Sequence, residues 1–142
     1  MKVEDLIDNP DFVIDDFVGY VYETTHTPTG RKYIGRKAFF HNTTKKLGKK
    51  ELAEIPVTKG RRPTKKLVTK ESDWKTYYGS ATEIKLCKPK DMTRQVLRLC
   101  RSKKELTYYE AKYLFQHNVL EDRNYINDNI LGKFYSKDLI LS

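Results

Sequence analysis

Residues 19–35 read GYVYETTHTPTGRKYIG, and this stretch decides the fold of the chain. Both of its ends are rich in aromatic and β-branched residues, which favour strands. Between the ends, Pro28 presets its φ angle and Gly30 can adopt a positive φ, so a turn is expected there. The pattern predicts a β-hairpin with strands over Phe17–Thr24 and Arg31–Gly35, joined by a loop of about five or six residues.

The hairpin brings two hydroxyl groups and a cation close together. Tyr22 and Tyr33 stand on opposite sides of the turn, and Arg36 follows the second strand directly. A guanidinium binds phosphate oxygens well, so this combination suggests a site that handles a phosphodiester. Each residue also has an ordinary structural explanation: the tyrosines as cross-strand packing residues, and Arg36 as a surface arginine.

The composition favours a polyanionic partner. The 142 residues suffice for one domain with one modest core, and 28 Lys and Arg against 19 Asp and Glu give a formal charge of +9. This balance points to nucleic acid rather than to a membrane. The acidic lead over residues 1–16 is unlike a signal peptide, and the two cysteines lack the spacing of a zinc site. We therefore expect one cytoplasmic domain over residues 1–142, without membrane attachment.

Most of the positive charge lies in one segment. Ten Lys or Arg and only two Glu occur between His41 and Lys70, together with glycines, prolines and little apolar periodicity. The segment predicts a long basic loop inserted at about residues 41–73. Its alternative is a solvated insertion with no partner. Lysines on a loop mostly contact phosphates, so weak sequence preference and strong salt dependence are expected. The candidate DNA-binding residues are Lys37, Arg61, Arg62, Lys65 and Lys66.

The remaining pattern completes a small α/β domain. A capping box predicts a short helix that starts at Ser80 and ends before Pro89. Thr93–Cys100 predicts a third strand, and a second capping box at Ser102 opens a helix that runs to about Asn118. The element order predicts an α/β (α+β) fold: a small three-stranded, mainly antiparallel sheet flanked by helices.

Glu110 interrupts the apolar stripe of that last helix, which is formed by Leu106, Tyr109, Tyr113 and Leu114. A carboxylate in such a stripe costs free energy unless a basic side chain or a metal ion pairs with it. Mg²⁺ commonly uses one or two carboxylates together with phosphate oxygens and water. The alternative is a glutamate at the edge of the stripe that reaches water or pairs with a lysine.

Together these segments resemble the GIY-YIG nuclease family, the small phage-encoded, homing-type members in particular. The first motif appears as Gly19-Tyr20-Val21-Tyr22 and the second as Tyr33-Ile34-Gly35. Tyr77-Tyr78-Gly79-Ser80 is similar to a further element of those members. The helix with Glu110 and the late Asn127 complete the resemblance, which spans about Phe17 to Asn127. It implies an endonuclease that hydrolyses double-stranded DNA with Mg²⁺, or Mn²⁺ as a substitute, and without a small-molecule cofactor. If the chain is phage-encoded, it acts in the host cytoplasm.

The resemblance also implies a role for each site residue. Glu110 would hold the metal ion, and Arg36 would bind the scissile phosphate and stabilise the transition state. Tyr22 would accept a proton from the attacking water, aided by Lys32 as a nearby cation, because a free tyrosine titrates near pH 10. Tyr33 would position the water or the phosphate.

Two points stay open from the sequence. Asn127 would support the site through hydrogen bonds, or it could simply cap a turn. Many family members carry the catalytic arginine on a helix farther along the chain, where this sequence has none. Arg36 is therefore the first candidate, with Arg61 and Arg62 as the others.

The rival hypotheses are a non-catalytic DNA- or RNA-binding module and a structural subunit without nucleic acid. Glu110 discriminates between nuclease and binder. A single metal ion cannot join a carboxylate to tyrosines more than about 10 Å away.

Overall fold

The computed structural model describes residues 1–53 and 65–139, and the chain divides into two compact units. The larger unit contains Met1–Phe39 and the described residues from Asp73 onward; the smaller one is formed by Phe40–Ser72. The elements of the larger unit are α1 (Val3–Ile7), β1 (Gly19–His26), β2 (Arg31–Ala38), α3 (Thr82–Leu86), β5 (Met92–Cys100), α4 (Lys103–Gln116), β6 (Asn129–Ile130), β7 (Phe134–Tyr135) and three 3₁₀ turns at Ile14–Asp16, Pro89–Asp91 and Ser136–Asp138. Those of the smaller unit are β3 (Phe40–Lys46), α2 (Lys49–Ala53) and β4 (Lys65–Glu71).

The predicted three-stranded sheet is confirmed. Its order is β2-β1-β5, and both pairings are antiparallel. The hairpin strands extend past their predicted ends, so the loop shrinks to Thr27–Gly30, where Gly30 has a φ of 72°. The register sets Tyr22 opposite Gly35 and Thr24 opposite Tyr33.

Each face of the sheet carries its own apolar layer. On one face, Leu106 and Leu114 of α4 pack with Val21 and Ile34 in the main core. On the other face lies a cluster of aromatic rings, in which Phe39 is 5.0 Å from Trp74 between ring centroids. Other rings of that cluster include Tyr20, Tyr22, Phe12, Phe17 and Tyr77. The β1–β2 hairpin is thus packed against apolar side chains on both faces of the sheet.

Two of the predicted elements differ from the structure. Ala81 rather than Ser80 is the N-cap residue of α3, and it makes no side-chain capping bond. In contrast, the Ser102 hydroxyl accepts a hydrogen bond from the Glu105 backbone N–H, as its capping box predicts.

The predicted basic loop is wrong for the residues that the structure describes, because β3 and β4 pair as a hairpin. The β-branched residues of Thr43–Thr44 and Val68–Thr69 supply the strand preference.

Arg94 ties β5 to two other parts of the larger unit. Its side chain is buried, and its guanidinium lies 2.8 Å from a carboxylate oxygen of Glu4 in α1. It also donates to the carbonyl oxygens of Trp74 and Tyr77, at 3.3 and 3.0 Å. A buried guanidinium needs such partners, because an unpaired buried charge is strongly destabilising.

No helix within residues 1–53 and 65–139 combines the length and the apolar character needed to cross a bilayer.

The ion pair between Glu4 and Arg94 predicts a stability that depends on pH. Desolvation raises the pKa of Glu4, but the hydrogen bond and charge of Arg94 outweigh it, and the net pKa is lowered. A lowered folded-state pKa stabilises the fold above the unfolded-state pKa, and this contribution is lost as pH falls through the folded-state value. We expect Glu4→Gln to lower the free energy of unfolding by about 1 kcal/mol at pH 7, since Glu4 is half exposed.

Urea unfolding at pH 7 and pH 3 checks this prediction, with Asp15→Asn as the control for loss of an exposed acid. The difference between wild type and Glu4→Gln should shrink toward zero at pH 3. An equal difference at both pH values would show that the charge of Glu4 is irrelevant.

Candidate active site

A cavity of about 800 Å³ opens in the larger unit at the free edge of β2. It is lined from β2, α3, α4 and the segment after α4. Five of the six residues predicted as catalytic line this cavity: Tyr22, Tyr33, Arg36, Glu110 and Asn127. The sixth, Lys32, does not line it.

The two tyrosines flank a glycine that leaves room for them. A Cβ atom at Gly35 would lie 2.5 Å from the Tyr22 hydroxyl and 3.0 Å from the Tyr33 ring. Such distances are far below van der Waals contact, so the Tyr22 side chain needs glycine at its cross-strand position. The two ring centroids lie 6.4 Å apart. This close approach explains why the second motif ends in glycine.

The Tyr22 phenol is held protonated by its surroundings. The side chain is 1% exposed, and burial raises its pKa far above the ordinary value. The neighbouring Tyr77 and Tyr33 raise the pKa further. Burial also raises the pKa of Tyr33, although its hydrogen bond with the Ser80 hydroxyl, at 2.8 Å, acts the other way. Without a bound cation, both hydroxyls therefore stay protonated and can donate hydrogen bonds.

Glu110 and Arg36 meet at the same cavity from α4 and β2. The Arg36 Nε atom lies 3.7 Å from the Glu110 Oε1 atom, and its guanidinium also donates to the Thr107 hydroxyl, one turn earlier on α4. Desolvation raises the pKa of Glu110, while the charge and backbone N–H of Arg36 lower it in part. Glu110 thus has the basic partner that its place in the apolar stripe requires.

Asn127 completes the free edge of β2. Its Oδ1 atom accepts from the Ile34 N–H at 3.0 Å, and its Nδ2 atom donates to the Ile34 carbonyl at 2.7 Å. Beside it, the Lys32 N–H donates to the Asn124 carbonyl, and the Ile126 N–H donates to the Lys32 carbonyl. The amide group of Asn127 therefore imitates a strand partner, and it fixes the backbone between Tyr33 and Gly35.

The remaining predicted residues lie away from the cavity lining. The Lys32 Nζ atom is 3.6 Å from a Glu23 carboxylate oxygen. The Lys37 Nζ atom is 2.6 Å from a carboxylate oxygen of Asp73 and 4.0 Å from the centre of the Tyr77 ring. Both lysines are therefore engaged within the protein.

The predicted DNA-binding residues of the basic segment divide into two sets. Lys65 and Lys66 are exposed on β4 of the smaller unit. Arg61 and Arg62 lie outside the described residues.

Several residues of the lining were not predicted from the sequence. Arg31 lies in it and pairs with Glu83 of α3. Its place two residues before Tyr33, which puts both on one side of a strand, was a usable signal. Ser80 belongs to the Tyr77–Ser80 element, to which the sequence assigned no role. Gly79 has a φ of 153°, and a Cβ there would come within 3.0 Å of the Tyr33 ring.

The donor set fits a divalent cation that is bound through one carboxylate. The described residues contain no group of three or more His, Cys, Asp or Glu that could form a complete protein cage. Mg²⁺ does not need such a cage, because it commonly keeps several waters and uses one or two carboxylates plus phosphate oxygens. The Glu110 side chain is 15% exposed, lines the cavity and can supply that carboxylate.

The contact between Tyr22 and Gly35 makes a stability prediction. Gly35→Ala should lower the free energy of unfolding by about 1–3 kcal/mol, because the new methyl group overlaps the Tyr22 hydroxyl. In a Tyr22→Phe background the same change should cost less, since the nearest atom is gone. Gly48→Ala is the control, because no described atom lies within 4 Å of its Cβ position. Equal costs of Gly35→Ala in both backgrounds, by urea unfolding, would contradict the overlap.

Comparison with known proteins supports the predicted resemblance. The family model described as "Putative endonuclease segE, GIY-YIG domain" matches residues 5–130. No curated protein and no solved structure gave a significant match. The match covers most of the chain, including both tyrosine motifs and α4, and the small antiparallel sheet with its helices agrees with the α/β fold of the family. The chain therefore belongs to the GIY-YIG nuclease family, as a phage-type, SegE-like member, and family membership indicates endonuclease activity with DNA as the substrate.

Proposed function

We propose that this protein hydrolyses phosphodiester bonds of double-stranded DNA in a reaction that depends on Mg²⁺, with residues 1–142 acting as one nuclease domain. The observation that supports this most is the joint presence of Tyr22, Tyr33, Arg36 and Glu110 in one cavity. A binding module without catalysis would have no use for a carboxylate there, so the rival hypothesis is less well supported.

In this proposal Arg36 binds the scissile phosphate. Its side chain is 45% exposed, and it is held at the cavity by Glu110 and Thr107. A guanidinium in that position can donate two hydrogen bonds to non-bridging oxygens and stabilise the charge that develops on them. Arg31, in the same lining, offers a second cation for a neighbouring phosphate.

Glu110 would hold the divalent cation through its carboxylate, with water and phosphate oxygens as the other ligands that such a cation commonly takes. When bound, such a cation neutralises phosphate charge and stabilises the leaving oxygen. The shielding of the carboxylate from bulk solvent strengthens its interaction with any cation that enters.

Tyr22 and Tyr33 orient the attacking water in our proposal, with their phenol protons in place. The raised pKa values disfavour the role of proton acceptor that the resemblance suggested for Tyr22. Lys32, the cation that would have lowered the pKa of Tyr22, is paired with Glu23 instead. Asn127 acts as a positioning residue, because the oxygen and the nitrogen of its side-chain amide both hold the backbone of Ile34 in β2.

The carboxylate of Glu110 is the first target for testing. We expect Glu110→Gln to lower plasmid cleavage with Mg²⁺ by about 100-fold or more, because the variant keeps the shape but loses the charge that binds the cation. Binding to a DNA duplex in EDTA should change little. Glu121→Gln, an exposed change beyond α4, is the matched control.

Two results would reject the proposal. One is a wild-type protein that never cuts DNA at any Mg²⁺ or Mn²⁺ concentration while it still binds DNA, which would favour the binding module. The other is a Glu110→Gln variant that cuts as fast as wild type.

The assignment of Arg36 as the arginine that binds the scissile phosphate gives a separate prediction. Arg36→Ala should reduce the single-turnover cleavage rate by about 100-fold or more, because a transition-state contact is lost. Arg36→Lys should recover only part of the rate, since an ammonium group cannot bind two oxygens in parallel. Arg61→Ala and Arg62→Ala are measured beside it. Full activity of Arg36→Ala together with a loss in either of those two variants would move the role to the basic segment.

A further inference from the structure

The β3–β4 hairpin, called the basic ribbon below, exposes both of its faces. Its strands pair in register from Phe40 opposite Glu71 to Lys46 opposite Lys65. Every residue of β3 after Phe40 is exposed, and Val68 is the half-buried residue of β4. Two-stranded hairpins without a covered face are marginally stable in water. The exposed side chains on both faces of the basic ribbon are accessible to a partner.

Positive charge is concentrated at one end of the basic ribbon. Lys45 lies opposite Lys66, and Lys46 lies opposite Lys65. Like charges in directly opposed positions destabilise a sheet. Successive residues of a strand point to opposite faces, so each face carries one of these pairs. Within residues 1–53 and 65–139, Glu51 is the acid that pairs with any of the four, at 2.9 Å from Lys66.

A polyanion that supplies phosphates on both sides of the basic ribbon would relieve this repulsion. The major groove of B-form DNA meets that requirement, since it is about 12 Å wide, admits a two-stranded β-ribbon and is bordered by both phosphate backbones. Strands of this length extend over roughly 23 Å, at about 3.3 Å per residue. The minor groove is about 6 Å wide, and the major groove of A-form RNA is deep and narrow, so neither accepts such a ribbon.

We propose that the basic ribbon enters the major groove of double-stranded DNA, where its four lysines bind phosphates of both strands and Asn42 contacts a base edge. This inference rests on the proposed DNA substrate, but it concerns how DNA is held rather than how it is cut.

Asn42 is prepared for base contact by its cross-strand neighbour. The Thr69 hydroxyl donates to the Asn42 Oδ1 atom at 2.7 Å, which fixes the orientation of the amide. Among residues 1–53 and 65–139, no other hydrogen bond engages this amide, so its Nδ2 donors and the second lone pair of Oδ1 can serve a partner. Adenine offers the complementary pair in the major groove, with N7 as acceptor and the N6 amino group as donor. The basic ribbon thus adds one sequence-dependent contact to the phosphate binding expected of its lysines.

The lysines are tested by duplex binding in EDTA, where no metal-dependent cleavage occurs. We expect Lys45→Ala/Lys46→Ala/Lys65→Ala to bind a labelled duplex at least tenfold more weakly in fluorescence anisotropy. The slope of log affinity against log salt should fall by about 0.9 for each lysine removed. A charge-matched control in the larger unit replaces three exposed lysines: Lys88, Lys90 and Lys104. If both variants lost the same affinity, net charge alone would explain the loss, and the proposal would be overturned.

Binding of the basic ribbon in the major groove is tested by methylation interference with dimethyl sulfate. This reagent modifies guanine at N7, in the major groove, and adenine at N3, in the minor groove. Guanine methylation should interfere with binding, and adenine methylation should not. Interference confined to adenine, or equal binding to duplex RNA, would overturn the proposal.

Asn42→Ala tests the base contact. Binding to a randomised duplex library should lose its preference for adenine at one position, while affinity for unselected DNA stays within about twofold. No preference in the wild type would overturn this part. Because these readouts need no cleavage, an inactive protein that passes them rejects only the nuclease proposal, and an active one that fails them rejects only the groove proposal.

Discussion

The contact between the Tyr22 phenol and Gly35 is the constraint on which the site depends. The ring occupies the space that any other residue at position 35 would fill with its Cβ atom. This contact exists only because the hairpin register sets these two residues opposite each other. A slip of one residue would turn every side chain of β2 to the opposite face. The short turn at Thr27–Gly30 therefore sets the geometry of the candidate active site, although it lies outside the cavity lining.

The site lies at a sheet edge, where groups from both faces can meet. Tyr22 reaches the cavity from the aromatic face, and Glu110 reaches it from the face covered by α4. Such an edge would leave unpaired N–H and carbonyl groups on β2, which is a general liability of edge strands. Asn127 and the backbone of residues 124–126 satisfy these groups without adding a full strand. The edge stays open for a substrate while its backbone stays fixed.

Local patterns in the sequence were enough to predict the hairpin, the third strand and the start of α4, because turn residues and capping residues act over a few positions. The motif order also pointed to Tyr22, Arg36 and Glu110, which line one cavity in the structure. The raised pKa of Tyr22 could not be predicted, since it follows from burial and from residues distant in sequence such as Tyr77. The strands of the basic ribbon were also missed. Their sequence is rich in lysine, and the preference of its threonines for extended backbone was therefore not recognised.

The ion pair of Arg36 with Glu110 also couples the two ligands that the cavity would take. Each charge compensates the other, so the largely buried Glu110 carboxylate is not left without a counter-charge. A phosphate that draws the guanidinium away leaves the carboxylate in need of a new counter-charge. A cation that occupies the carboxylate likewise frees the guanidinium. The two ligands should therefore bind cooperatively, and linkage requires each to raise the affinity for the other by the same factor.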